Sequence, residues 1–363
     1  MKVYFYYPTT GIGGVQSLFT RYCYALTNNK IDAEIVGERI IGYDKTNEKF
    51  IFQNNIKVKK INFFRWVVSL IFKRNFIVIT SGNNWLKLYF ILLTFLGKKI
   101  YFWSLQPNHF CRFENHVLLK RFVCLYLKLL IKRETIFLMD EEGKNTIEKY
   151  YNIKIRRPIF LPVADFIDNV LPEIPSPYVK KNQIKILWVG RLNEEWKTLT
   201  LLPLVNLAKE SSFIYLTIIG ALVPGINSYP LWLSSILGDV KDYNNISVLL
   251  NLENEVLKSE YPKYDIVCGM GTVLIEAASK CVPVFSQDLS DDTGYGLWFY
   301  DRVGYCLGGI DLVKNSHKRI HIKEAISQII INKIEISIKC YDHAKKNHNL
   351  NEISNSLLQI LNL

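Results

Sequence analysis

A strand–helix alternation that stops at a proline-rich passage and then starts again is the strongest constraint on this chain. Residues 2–7, 33–36, 56–61, 76–80, 99–103, 135–138 and 159–161 are short β-rich runs. Stretches with apolar residues at helical spacing lie between most of them, including 15–27, 85–96 and 117–133. Alternation of this kind predicts parallel strands joined by crossover helices, since parallel neighbours cannot be joined by a tight turn. Pro158, Pro162, Pro172, Pro175 and Pro177 then mark a linker. Strand-like runs resume at 184–189, 213–219, 246–250, 265–267 and 282–285, with helices at 199–209 and 273–280 and from 322 to the end. The pattern predicts two doubly wound α/β domains facing across a cleft. The expected division is 1–165, a linker over 166–183, a second domain over 184–330, and helices over 331–363 that pack back on the first domain. A chain of 363 residues suits two such domains better than a single core.

Composition narrows the setting. A hydrophobic content of 49% with 21% charged residues describes a folded globular protein. The start of the chain lacks the length and cleavage site of a signal peptide, and the apolar run 88–96 is about half of a membrane span. Seven cysteines, odd in number and without a C-x-x-C pair, fit a reduced, cytoplasmic compartment. His317 and His321 form the one spaced histidine pair, with no acidic or thiol ligand close in sequence, so no metal site is expected.

Charge is unevenly spread. Residues 1–180 carry 27 Lys and Arg against 14 Asp and Glu, whereas the remainder carries 18 against 19. From Lys49 through Phe113 there are 11 basic residues and no acidic one. The excess belongs to one half, which asks for an anionic partner there. No helix-turn-helix, zinc-ligand spacing or RNP-like strand is present, so nucleic acid is not the expected one.

Three glycine-bearing elements follow strands. The first is Thr10-Gly11-Ile12-Gly13-Gly14-Val15-Gln16, a turn into a helix whose N–H groups suit an anion. A dinucleotide fingerprint needs glycine where Gln16 stands, which argues against a dehydrogenase or epimerase. The second is the run 186–192, ending Gly190-Arg191-Leu192, with Lys197 six residues after Arg191. A guanidinium and an ammonium beyond a strand end suit a diphosphate. The third is Gly269-Met270-Gly271-Thr272-Val273, which leads into a helix bearing Glu276 among small and apolar residues. A carboxylate there needs a partner, and ribose hydroxyls are good ones.

In order and approximate spacing, these elements resemble the retaining GT-B glycosyltransferases of family 4, also called glycosyl transferases group 1. The run Leu161-Pro162-Val163-Ala164-Asp165 is similar to that family's strand and turn before the hinge. The resemblance spans nearly the whole chain. It implies that Arg191 and Lys197 hold the donor diphosphate and that Glu276 binds the ribose. It further implies that Gly13 and Gly14 approach the donor phosphates and acceptor, and that backbone groups of Gly269, Gly271, Thr272 and Val273 support the diphosphate or the sugar. It implies a UDP- or GDP-sugar as substrate, with no cofactor and no metal, because cations and helix N-termini stabilise the departing phosphate. The chain departs from the family at Cys268, where a second glutamate usually touches the transferred sugar. The family's histidine after the strand at 99–103 is matched by Gln106, with His109 as the alternative.

The helix expected over 117–133 places Arg121, Lys128 and Lys132 on one face, and residues 63–74 add a second aromatic and basic patch. Both suit peripheral attachment to an anionic leaflet at the inner face of the cell membrane. With the resemblance, this implies a lipid-linked glycan acceptor in O-antigen or capsule assembly. The rival expectation is a non-catalytic GT-B-like glycan-binding or scaffold subunit.

Overall fold

The computed structural model describes residues 1–10, 14–40, 45–105, 109–111, 117–172, 183–192, 200–221, 243–287, 293–296 and 320–363. The chain divides into two units, residues 1–166 with 350–363, and the described part of 167–349.

In the first unit, β1 (Lys2–Tyr6) and β2 (Thr9–Thr10) precede α1 (Gly14–Asn28), β3 (Asp32–Gly37) and β4 (Arg39–Ile40). Then come α2 (Lys45–Gln53), β5 (Lys57–Lys60), α3 (Phe63–Phe72), β6 (Phe76–Ser81), α4 (Leu88–Phe95) and β7 (Lys99–Ser104). The unit continues with α5 (Val117–Lys132), β8 (Ile136–Leu138), α6 (Glu141–Tyr151) and β9 (Ile159–Phe160). Its sheet has the order β5-β3-β1-β6-β7-β8-β9, and every pairing is parallel. That is the doubly wound order, with its switch point between β1 and β6.

Alternation along β1 distributes the core over both faces of the sheet. Tyr4 and Tyr6 pack with Trp66 of α3, and Phe90 of α4 joins Tyr6. Phe5 points the other way, onto Phe19 of α1. Residues 63–72, a patch in the sequence pattern, are thus a helix that buries Trp66, Val67 and Leu70. Asn62 caps it by accepting from the Arg65 N–H at 3.2 Å.

The second unit runs through β10 (Ile184–Arg191), α7 (Leu202–Glu210), β11 (Ile214–Ala221), β12 (Ile246–Leu250) and α8 (Asn254–Glu260). It continues with β13 (Ile266–Gly269), α9 (Thr272–Ala278), β14 (Val284–Gln287), β15 (Thr293–Gly296), β16 (Ile320–His321) and α10 (Ile322–His348). Its sheet order is β12-β11-β10-β13-β14-β15-β16. The pairings among β10–β14 are parallel, and β15 and β16 add antiparallel edges absent from the sequence pattern. Residue 330, a boundary in the sequence pattern, lies inside α10, whose one non-helical residue is Asn332. The last helix, α11 (Leu350–Leu361), belongs to the first unit and packs on α1.

Two largely buried ion pairs tie helices to neighbouring segments. Arg21 of α1 meets Asp165 at 3.4 Å and donates to the Ala164 carbonyl at 3.1 Å. In the second unit, Asp265 accepts from Lys333 at 2.7 Å and from the Lys185 N–H at 2.8 Å, which fixes α10 to the strand layer. Removing one partner of a buried pair leaves the other charge uncompensated. Lys333→Ala is expected to cost about 3 kcal/mol and to lower the melting temperature in calorimetry. Adding Asp265→Asn should recover part of that loss.

Candidate functional site

In a doubly wound sheet the ligand crevice lies beyond the carboxyl ends of the strands, where the winding reverses. In the second unit that point falls between β10 and β13. They pair in parallel with Val189 opposite Gly269 and Trp188 opposite Cys268, so both strands deliver their following residues to one edge. β10 ends on Arg191, which is exposed. Beyond β13 come Met270 and Gly271, and then the first turn of α9.

Backbone geometry fixes the residue types here. A Cβ on Gly269 would lie 2.9 Å from the Val189 carbonyl oxygen, so only glycine lets the strands approach this closely. Gly271 has φ +75° and ψ −136°, a conformation that costs other residues energy although the space around it is open. It is the N-cap of α9 and has no side chain with which to accept from the helix's first N–H groups, which lie at this edge. Thr272 and Val273, half-buried, form that first turn.

Glu276 is 5% exposed, not a solvent-facing helix carboxylate. Tyr261, in the 3-10 turn Tyr261–Lys263 before β13, donates its hydroxyl to Glu276 Oε2 at 3.1 Å. Nothing in the local sequence pattern flags Tyr261, because the contact joins two elements fifteen positions apart. Cys268 is wholly buried within the sheet, and burial pushes its thiol up from the ordinary range. The side chain has no exposed surface, so the position where the resembling family usually carries a glutamate is filled here by a thiol packed in the sheet.

The switch point of the first unit lies between β1 and β6. Gly14 opens α1, and Gln16 donates through Nε2 to the Thr9 carbonyl at 3.0 Å, which ties the first turn of α1 to β2. His109 is 4% exposed. Its Nδ1 accepts from the Leu105 N–H at 3.2 Å, which puts the neutral ring's proton on Nε2. The sequence pattern misses a polar cluster at this edge. Tyr6 donates to Glu38, while Lys87 donates to the Tyr6 hydroxyl at 3.3 Å and lies 3.8 Å from the Glu38 carboxylate. Burial holds the Lys87 ammonium below its usual range, partly offset by Glu38. Burial, then the Glu38 contact, raises the Tyr6 phenol.

Gln106, Gly13 and Lys197 lie outside the described residues, as does His317. Among the described residues, no group of three or more His, Cys, Asp or Glu is placed to hold a metal ion.

Neither a family profile nor a curated protein sequence matches this chain. Solved structures do. A glycosyltransferase from Rickettsia africae aligns with TM-score 0.69 and 16% identity, over 99% of this chain and 97% of that one. Anabaena HepE in complex with UDP aligns with TM-score 0.67 and 12% identity, over 100% of both chains. The lipopolysaccharide outer core galactosyltransferase WaaB aligns with TM-score 0.61 and 15% identity, over 100% of this chain and 99% of that one. At these identities the likeness fixes the fold. The chain has the α/β fold of GT-B glycosyltransferases, with two Rossmann-like units.

Two outcomes are expected from this geometry. Gly271→Ala should cost about 1–3 kcal/mol through its backbone conformation alone, whereas Gly14→Ala, with open space and an ordinary φ, should leave stability unchanged in thermal melts. In the folded protein at pH 8, maleimide should modify Cys111 and Cys124, which are half-buried. It should spare Cys268, as well as Cys23 and Cys281, whose thiols burial raises to about 12 and about 11. Mass spectrometry of the labelled peptides reads the pattern.

Proposed function

We propose that this chain is a glycosyltransferase that moves a hexose from a nucleoside-diphosphate sugar to a glycan acceptor. The observation that carries this reading is the pairing of β10 with β13. It brings exposed Arg191 to the same sheet edge as the glycine-capped turn of α9, with the buried carboxylate of Glu276 one turn further on. That combination suits a nucleoside diphosphate. Arg191 grips phosphate oxygens, the N–H groups of Thr272 and Val273 add donors, and Lys197 supplies a second cation. A carboxylate has lone pairs for several donors, so Glu276 can accept ribose hydroxyls while it keeps Tyr261.

Chemically, such a site works on the leaving group. As the bond from the anomeric carbon to the diphosphate oxygen breaks, charge accumulates on the phosphates, where fixed donors stabilise it without a metal. Transfer with retention of anomeric configuration follows from the family 4 resemblance. UDP is the favoured nucleotide, since HepE, alike in fold over its whole length, is described in complex with UDP. The acceptor we assign to the first unit is a lipid-linked oligosaccharide at the inner face of the cell membrane, in surface polysaccharide assembly such as O-antigen or capsule. The likeness in fold to WaaB, a lipopolysaccharide outer core galactosyltransferase, supports that direction.

One observation favours a second reading. The position where the family usually carries a sugar-contacting glutamate is a buried cysteine, which is compatible with a GT-B-like subunit that binds glycan without catalysis.

Calorimetric titration with UDP and GDP separates the two. The transferase reading expects one nucleotide to bind, with Arg191→Ala weakening it about 10- to 100-fold and leaving the melting temperature unchanged. Wild-type protein that binds neither nucleotide would sink the transferase reading and favour the second.

A further inference from the structure

We propose that the outer surface of the α3–α4–α5 layer is a docking face for an anionic lipid bilayer. The inference stands apart from the donor chemistry and rests on what these helices leave outside. Each buries one stripe in the core of the first unit: Trp66 and Leu70 from α3, Phe90 and Leu93 from α4, Tyr126 and Leu130 from α5. An amphipathic surface helix ordinarily turns polar residues to water on its opposite side. These three turn out Phe64, Phe72, Leu88, Phe95, Phe122 and Leu125 instead. Phe72 is 81% exposed and Leu88 74%.

The helices that carry these side chains are joined side by side. Phe63 of α3 meets Tyr89 of α4 edge to face, with ring centroids 5.0 Å apart. Between α4 and α5, Phe95 stacks on Tyr126, and the Thr94 and Tyr126 hydroxyls lie 3.2 Å apart. Arg133, just past α5, donates to the Thr94 carbonyl. An aromatic side chain carries about 150–250 Å² of surface, so six largely exposed apolar groups on three adjoining helices reach the several-hundred-Å² scale of patches that mark interaction sites.

Charge selects the occupant. Arg65, Lys73 and Arg74 flank the exposed side of α3, and Arg121, Lys128 and Lys132 are exposed along α5. No carboxylate occurs from Lys49 through Phe113, which covers the whole of α3 and α4, and Glu134 stands just after α5. Two copies of this chain meeting symmetrically through the patch would bring like charges together. A nucleic acid would answer the cations but gain little from exposed Leu88 and Leu125. Anionic headgroups answer the cations while the acyl boundary takes the apolar side chains, so one surface satisfies both features.

Co-sedimentation with vesicles, in the absence of nucleotide, tests this. The purified chain should bind vesicles of phosphatidylglycerol and phosphatidylcholine, and bind pure phosphatidylcholine at least about ten-fold more weakly. An apolar variant combining Phe72→Ser, Leu88→Ser and Leu125→Ser should lose about ten-fold or more. A charge variant combining Lys128→Glu and Lys132→Glu should lose a similar factor and need less salt for release. All five positions are exposed, so both variants should keep the wild-type circular dichroism and melting temperature. Failure of the wild type to bind the anionic vesicles overturns the proposal, as does undiminished binding by both folded variants. Two further results also overturn it: a wild-type dimer in size-exclusion chromatography that the apolar variant abolishes, or retention on single-stranded RNA in place of vesicles. If the apolar variant misfolds, the charge variant decides the matter alone.

Discussion

The candidate donor site depends on the side-by-side pairing of β10 and β13. Chain order runs outward from β10 in one direction through β11 and β12, and from β13 in the other through β14. The helices that follow β10 and β13 are therefore wound to different sides, and the carboxyl ends of the two strands are left uncovered between them. Gly269 permits the close approach to the Val189 carbonyl, and Gly271 turns the chain into α9. With a side chain at the first position, the strands would separate or shift. Arg191 and the α9 N-terminus would then no longer share an edge. The packing that makes the sheet is the packing that makes the site.

The first unit repeats the winding with different contents. Its switch point carries the Tyr6–Glu38–Lys87 cluster and a histidine whose tautomer is set by the Leu105 N–H. Its last strand is followed by a stretch held from several directions. Trp103 donates to the Leu161 carbonyl at 2.8 Å, Tyr22 to that of Pro162 at 2.9 Å, and Arg21 pairs with Asp165. The Leu350 N–H then donates to the Asp165 carbonyl at 2.9 Å, so the chain's return to this unit is secured where it left. Desolvating Arg21 and Asp165 is costly, and the pair is tolerable because each keeps a further hydrogen bond.

Much of this was legible in sequence, for identifiable reasons. Strands buried on both faces read as short apolar runs, so 76–80, 99–103 and 184–189 could be placed nearly to the residue. Gly269 and Gly271 were legible because few other residues can occupy such backbone positions. Elements with weak periodicity were not. Lys45–Gln53, Glu141–Tyr151 and Asn254–Glu260 are short polar helices, and residues 63–72 are so rich in apolar side chains that the buried stripe was masked. At the site, Arg191 and Glu276 could be picked out by type and spacing. Tyr261 could not, since a tyrosine in a turn carries no mark of the carboxylate it will meet.

The sequence by itself determined the two-unit α/β plan, the parallel sheets, the glycine positions and the confinement of excess positive charge to one half. These follow from local periodicity, backbone sterics and simple counting, all carried by neighbouring residues. Tertiary structure alone decided which strands lie side by side, and hence that Arg191 and Gly271 share an edge. It decided that Cys268 is sealed in the sheet while Glu276 is buried against Tyr261. It also decided that α3, α4 and α5 adjoin, which turns scattered phenylalanines, leucines and lysines into one surface. Each of these is a contact between residues distant in the chain, and only the completed packing of the sheets fixes such contacts.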